Sequence, residues 1–243
     1  MDRKELLSYK EKLGYDLGQL EIDYYHHKIL NILFSKYNTL YFKGGTGLQK
    51  CYNLKRFSED LDFNYENIDI EKLLNYLDEK IDENIQISQK YDTPFDTSVN
   101  IRIEGILFNG KEESKCKISL DFRKGDIYLE PKKIIIRPPY HDLPNYLILA
   151  LEKEEILAEK IRAIISRNKA RDIYDLTELL YQGVNIDYDL INKKLKTYDI
   201  EFNTNSFLKK VYEKNKIYNN EIKRLTPIYP SFEECYSTIS SKF

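Results

Sequence analysis

Asp60 and Asp62 stand one residue apart in "RFSEDLDF", and thirteen residues separate Asp60 from Thr46 at the end of the run Lys43-Gly44-Gly45-Thr46. A short apolar stretch, "TLYF" at 39–42, leads straight into those glycines. A glycine pair at a helix start exposes several backbone N–H groups with no side chain in the way, and such a place binds an anion, above all a phosphate. Thr46 adds a hydroxyl. Asp60 and Asp62, if in strand geometry, face the same way with Cα atoms about 6.6 Å apart. Two carboxylates so placed repel and raise each other's pKa unless a cation lies between them. Mg²⁺ suits the position, because carboxylate and phosphate oxygens are its natural ligands, and Mn²⁺ is an alternative. A two-metal site holds its ions about 3.5–4 Å apart and usually takes a further carboxylate. Asp121, in "CKISLDF", is the candidate: it closes a β-rich run between Leu120 and Phe122, as Asp60 and Asp62 bracket Leu61 and precede Phe63.

Together these residues form an apparatus for in-line attack at the α-phosphate of a nucleoside triphosphate, with the pyrophosphate leaving. Read alone, the glycine pair is an ordinary tight turn and Asp121 a solvent-facing strand end. The combination is what points to chemistry. No covalent step is asked of the protein, and no nucleophile constellation is visible. His26 and His27 are adjacent on a helical pattern and His141 sits near prolines, none at a spacing from serine or cysteine that suggests a triad. They read as core or surface histidines.

The 243-residue chain can bury a sizeable core without staples. With 42% hydrophobic and 32% charged residues it reads as soluble and globular, with no membrane-length apolar run and no signal-peptide core in "MDRKELLSYKEK". Cys51, Cys116 and Cys235 are odd in number and scattered, fitting neither a disulfide framework nor a zinc site. The expected compartment is the cytoplasm. The net charge of −2 hides an asymmetry. Residues 66–96 hold nine acidic and three basic side chains, residues 160–171 five basic and no acidic, and residues 191–224 nine basic and four acidic. An acidic front and a basic rear are expected if the rear half meets polyanions, although lysine-rich helices are also ordinary solvated faces.

The elements that must position the motif follow from periodicity. Residues 17–37 have helical spacing, and 39–42 reads as a strand. A short helix opens on the glycines, "EDLDFNY" alternates as a strand, and "DIEKLLNYLDEKI" is an amphipathic helix opening on Asp69. "SVNIRIEGILF" and "KCKISLDF" flank Asn109-Gly110 as a long-looped hairpin, and "KKIIIRPPY" is a strand stopped by Pro138 and Pro139. After about residue 150 the pattern is helical. The expected fold is α+β, a small mixed sheet flanked by helices over residues 1–145, followed by a C-terminal helical bundle over 146–243, with the boundary near Pro144.

"FKGGTGLQKCYNLKRFSEDLDF" with a later Asp-bearing strand resembles the signature of the polymerase-β-like nucleotidyltransferase superfamily. Joined to "AEKIRAIISRNKARDIYDL" it closely resembles the AbiEii/AbiGii-type nucleotidyltransferase toxin family, which includes the mycobacterial MenT toxins. The resemblance covers roughly residues 20–185. It departs in a long glycine-to-aspartate spacer and in Gly47, where the family more often has Ala. It implies that Gly44, Gly45 and Thr46 meet the triphosphate and that Lys43 neutralises phosphate. It also implies that Asp60 and Asp62 hold metal, that Lys160 lies against the nucleotide phosphates, and that Arg171 and Asp172 lie near the same cleft. Lys160 and Arg167, seven apart, are expected to share a helix face. Arg56 and Ser58 brace the acidic strand or meet the nucleotide. The implied activity is transfer of a nucleotidyl group from an NTP to an RNA acceptor, a tRNA 3′ end by family expectation, by the toxin of a toxin–antitoxin or phage-defence pair with a cognate antitoxin. Transfer to a small molecule or a protein hydroxyl, or a non-catalytic NTP-binding module, are the alternatives.

Overall fold

The computed structural model describes residues 1–243, which divide into two compact units. The first comprises residues 1–51, 59–127 and 131–150; the second comprises 52–58, 128–130 and 151–243.

The first unit is built on a seven-stranded mixed sheet in the order β3-β4-β5-β2-β1-β7-β6. After two short helices, α1 (Arg3–Ser8) and α2 (Lys10–Leu13), comes α3 (Leu17–Lys36), opened by a capping box between Asp16 and Gln19. Then follow β1 (Leu40–Lys43), α4 (Gly44–Tyr52), β2 (Leu61–Tyr65) and α5 (Ile70–Lys80), the last capped by Asp69. The remaining strands are β3 (Ile85–Asp92), β4 (Asp96–Ile103), β5 (Cys116–Lys124), β6 (Lys132–Ile136) and β7 (Tyr146–Ala150). β2 runs antiparallel to β1 and parallel to β5, while β4 runs antiparallel to both β3 and β5.

Period-two alternation gives this sheet one apolar and one polar face. On the apolar face Phe42, Phe63 and Phe122 stand in register on β1, β2 and β5, with ring centroids 5.6 and 5.3 Å apart. Leu61, Leu120, Val99 and Ile101 continue that face, and buried Leu30 and Leu33 come from α3, which packs beside β5, β7 and α5. The polar face carries Lys43, Asp62, Asp121 and Ser98 in one directly opposed row.

The second unit is helical: α6 (Lys153–Ser166), α7 (Arg171–Tyr181), α8 (Tyr188–Lys196), α9 (Thr204–Glu213), α10 (Asn215–Ile222) and α11 (Phe232–Ser240). Ile161, Ile164, Ile173, Leu176, Phe207 and Ile239 are among its fully buried side chains. The expected α+β arrangement, mixed sheet first and helices after, is therefore present. Two strands were not anticipated. β3 is one, and β7 the other; β7 lies beyond the expected boundary at Pro144 yet pairs antiparallel with β6 and parallel with β1, so the sheet extends to Ala150.

Candidate active site

The chain passes from β1 to α4 without a connecting loop, and Gly44 makes the turn with φ +70°. Only glycine adopts that backbone cheaply. Its missing side chain matters as much, because a Cβ built on Gly44 would overlap the Asp62 carboxyl group. The acidic strand thus lies directly against the glycine turn. Behind Gly44, Gly45 and Thr46 open α4, whose first N–H groups lack intrahelical partners and attract an anion. Gly47 faces Phe42, where a Cβ would make ordinary contact at 3.7 Å, so alanine would fit there equally well.

Thr46 departs from expectation. Its side chain is fully buried and its hydroxyl donates to the backbone carbonyl of Asp60 at 2.5 Å, so it ties the turn to the acidic strand instead of offering the hydroxyl to a phosphate. A second tie comes from His26 on α3, whose Nε2 is 3.0 Å from the carbonyl of Glu59. A carbonyl only accepts, so Nε2 carries the proton. Burial pushes the His26 pKa down to about 3, aided by the Lys50 charge, and the ring is neutral. His26 is therefore a fastening for the residues just before Asp60, a role invisible in a sequence where it reads as core.

Lys43 sits across from Asp62, and Asp62 across from Asp121. Burial, with the charge of Asp60 adding to it, holds the Asp121 carboxyl above the usual range, while the Ser98 hydroxyl, Lys90 and Lys43 pull it down. Ser98 is fully buried and stands directly across from Asp121. No three His, Cys, Asp or Glu side chains converge closely enough to cage an ion by themselves. Mg²⁺ bound with a polyphosphate needs only one or two protein carboxylates, with phosphate oxygens and water completing its shell. Two carboxylates in register, Asp121 raised by burial and in part by the charge of Asp60, are a donor set that fits such an ion.

The other expected residues belong to the second unit and form a network of their own. Arg56 is buried, with Nε and Nη2 donating to Asp175 at 2.5 and 2.7 Å and Nη1 to the carbonyl of Phe57 at 2.9 Å. That geometry braces α7 and corrects the expectation of a nucleotide contact. Lys160 Nζ lies 2.6 Å from Asp175 and 3.1 Å from Asp172, and Arg167 grips Asp172 through two hydrogen bonds of 2.8 Å. Lys160 and Arg167 do not share a helix face, since Arg167 is the extended residue that ends α6; they meet through Asp172. Burial alone would raise both aspartates, but Lys160 with Arg167, and Arg56 with Lys160, hold Asp172 and Asp175 below the usual carboxylate range. Three cations on two anions leave one net positive charge, and the Arg167 side chain is 46% exposed. Ser58 is buried, and Arg171 begins α7.

The basic rear is also less basic on its surface than in sequence. Lys194 is buried between Glu155 and Glu159, and Lys214 is buried with its ammonium donating to the carbonyl of Ile164. The three cysteines are unpaired, as expected.

A model of the nucleotidyl transferase AbiEii toxin of type IV toxin–antitoxin systems matches residues 30–238. Among curated proteins no sequence match is found. Of solved structures, JHP933 from Helicobacter pylori aligns with a TM-score of 0.61 at 22% identity, covering all of this chain and 91% of its own. The nucleotidyltransferase toxin MenT4 of Mycobacterium tuberculosis aligns at 0.68 and 20% identity, covering 98% of this chain and 88% of its own.

Proposed function

The chain belongs to the AbiEii family of nucleotidyltransferase toxins, and from that premise we propose that it transfers a nucleotidyl group from an NTP to an RNA 3′ end, most simply that of a tRNA. In this reading Asp60, Asp62 and Asp121 hold Mg²⁺ or Mn²⁺, which when bound supplies the positive charge that activates the acceptor hydroxyl and stabilises the leaving pyrophosphate. The N–H groups of Gly45 and Thr46 cradle the triphosphate, with Lys43 adding charge beside it. Thr46 and His26 hold the backbone before Asp62 so that its carboxyl stays against the turn. In the second unit, Lys160, Arg167 and Asp172 form a network, half-exposed at Arg167, that suits phosphate, with Arg171 opening α7 next to Asp172.

The observation that carries this reading is the packing of the Asp62 carboxyl on Gly44. It joins the cation-binding residues to the phosphate-binding turn, as nucleotidyl transfer requires. The family implies a cognate antitoxin, and no helix is long and apolar enough to cross a membrane. We place the activity in the cytoplasm, where NTP and RNA are found together.

The test is incubation with labelled NTPs, Mg²⁺ and total tRNA beside an Asp60→Ala/Asp62→Ala double variant. Label should enter RNA with the wild-type chain and fall at least a hundredfold in the variant. Equal transfer in both would remove these aspartates from the mechanism. Label on a small molecule or on protein would reassign the acceptor.

A further inference from the structure

The antiparallel pairing of β3 with β4 contains an irregularity whose effect is specific. Gln89 opposes Val99, yet the next pair is Tyr91 with Ser98, so Lys90 is an inserted residue. Without that bulge Tyr91 would oppose Thr97 and face the apolar side of the sheet. The extra residue turns it to the polar side. Tyr91 therefore ends the row that runs Lys43, Asp62, Asp121, Ser98, Tyr91 across five strands. Tyr91 is 49% exposed.

Transfer geometry says which side of the row the acceptor must use. In an in-line displacement the attacking and leaving oxygens lie on opposite sides of the reacting phosphorus. The turn that suits the leaving pyrophosphate is at the β1 end of the row. The acceptor must then arrive from the other end, past Asp121, over β4 and β3. Two strand spacings, about 10 Å, separate Asp121 from Tyr91 there.

We propose that the polar face of the β3–β4 hairpin is the acceptor site, receiving a single-stranded RNA 3′ end whose terminal base stacks on Tyr91. The inference rests on the nucleotidyltransferase reading above and adds where the acceptor lies. An exposed tyrosine beside a reacting centre is the platform that single-stranded nucleic acid uses irrespective of base. The buried Ser98 hydroxyl lies between that platform and Asp121. Burial, then the Asp121 and Asp96 charges, raise the Tyr91 phenol, in keeping with its place across from Ser98 in the row that carries Asp121. Cations continue the track on the same face. Lys90 is exposed at the bulge, with its ammonium 2.8 Å from Ser119, and exposed Arg102 and Lys117 oppose each other four residues, about 13 Å, along from the Tyr91 row. Arg102 has only a loose surface pairing, 3.8 Å from Glu112.

The test measures steady-state transfer and acceptor binding with the full chain. Tyr91→Ala should raise the KM for an RNA with a single-stranded 3′ end about tenfold or more, leaving the KM for NTP and the melting temperature unchanged. Tyr91→Trp and Tyr91→Phe should keep the wild-type acceptor KM. Arg102→Ala/Lys117→Ala should also weaken the acceptor, and should flatten the dependence of binding on log salt by about 1.4. An unchanged acceptor KM in Tyr91→Ala, or a rise in the KM for NTP instead, overturns the proposal. Fluorescence anisotropy of a fluorescein-labelled single-stranded RNA, without NTP, separates the two readings. Binding weakened in Tyr91→Ala supports the site even if the wild-type chain labels something other than RNA. Equal binding by both proteins, or none by the wild type, sinks it.

Discussion

Gly44 is where the chemistry depends on a single hydrogen atom. Its φ of +70° disfavours any other residue by about 1–2 kcal/mol, and the Asp62 carboxyl fills the space a side chain would take. Gly44→Ala should therefore displace Asp62 and reduce nucleotidyl transfer about a hundredfold or more, while the melting temperature falls by only a few degrees. A variant with near wild-type transfer would show that Asp62 need not touch the turn. The adjacency of the glycine turn and Asp62, and the place of Asp121 in the same row, could be read in advance from strand alternation. The partners of Thr46 and His26 could not. Each bonds a backbone carbonyl, and carbonyls carry no residue identity to read.

At the level of elements, α7 is held by charge. Arg56 and Asp175 lie 119 residues apart in sequence and make a two-pronged pair that is almost fully buried. Removing Arg56 leaves buried Asp175 with its two-pronged partner gone and only the shared Lys160 ammonium, 2.6 Å away, against it, in a medium that solvates charge poorly. Arg56→Ala should destabilise the chain by about 3–5 kcal/mol in urea unfolding, and Arg56→Met/Asp175→Leu by clearly less. Equal losses would mean that packing, not the stranded charge, sets the cost. The helices α6 and α7 were legible from periodicity and matched to the family by "AEKIRAIISRNKARDIYDL". The pairing of Arg56 was not, since a charge pattern does not reveal a partner so distant. β3 and β7 escaped for another reason. "IQISQKYD" is mostly exposed and polar, and "YLILA" is too short for its period to tell strand from helix.

For the whole molecule these buried groups set the response to acid. His26 is neutral in the fold down to about pH 3 and titrates near 6.5 when unfolded, so between those values the unfolded chain binds more protons and stability falls as pH drops. Below about pH 4 the unfolded Asp172 and Asp175 protonate before their folded forms, and the stabilisation from Lys160, Arg167 and Arg56 is lost as well. Unfolding free energy should thus be flat from pH 8 to about 6.5, decline below it by up to about 1.4 kcal/mol per pH unit for each of the buried, neutral His26 and His27, and drop steeply under pH 4. His26→Gln should make the first decline shallower, with His27 keeping its share, and a wild-type melting temperature at pH 3 equal to that at pH 7 would contradict the assignment. The sequence by itself determined the family and the α+β order, and it singled out the residues proposed to hold phosphate and cation, because these follow from local spacing and hydrophobic period. Only the tertiary structure decided that Arg56, Lys194 and Lys214 turn inward and that Tyr91 joins the carboxylate row. Burial of a charge depends on partners brought from far along the chain, and a one-residue bulge reverses which face a strand side chain sees.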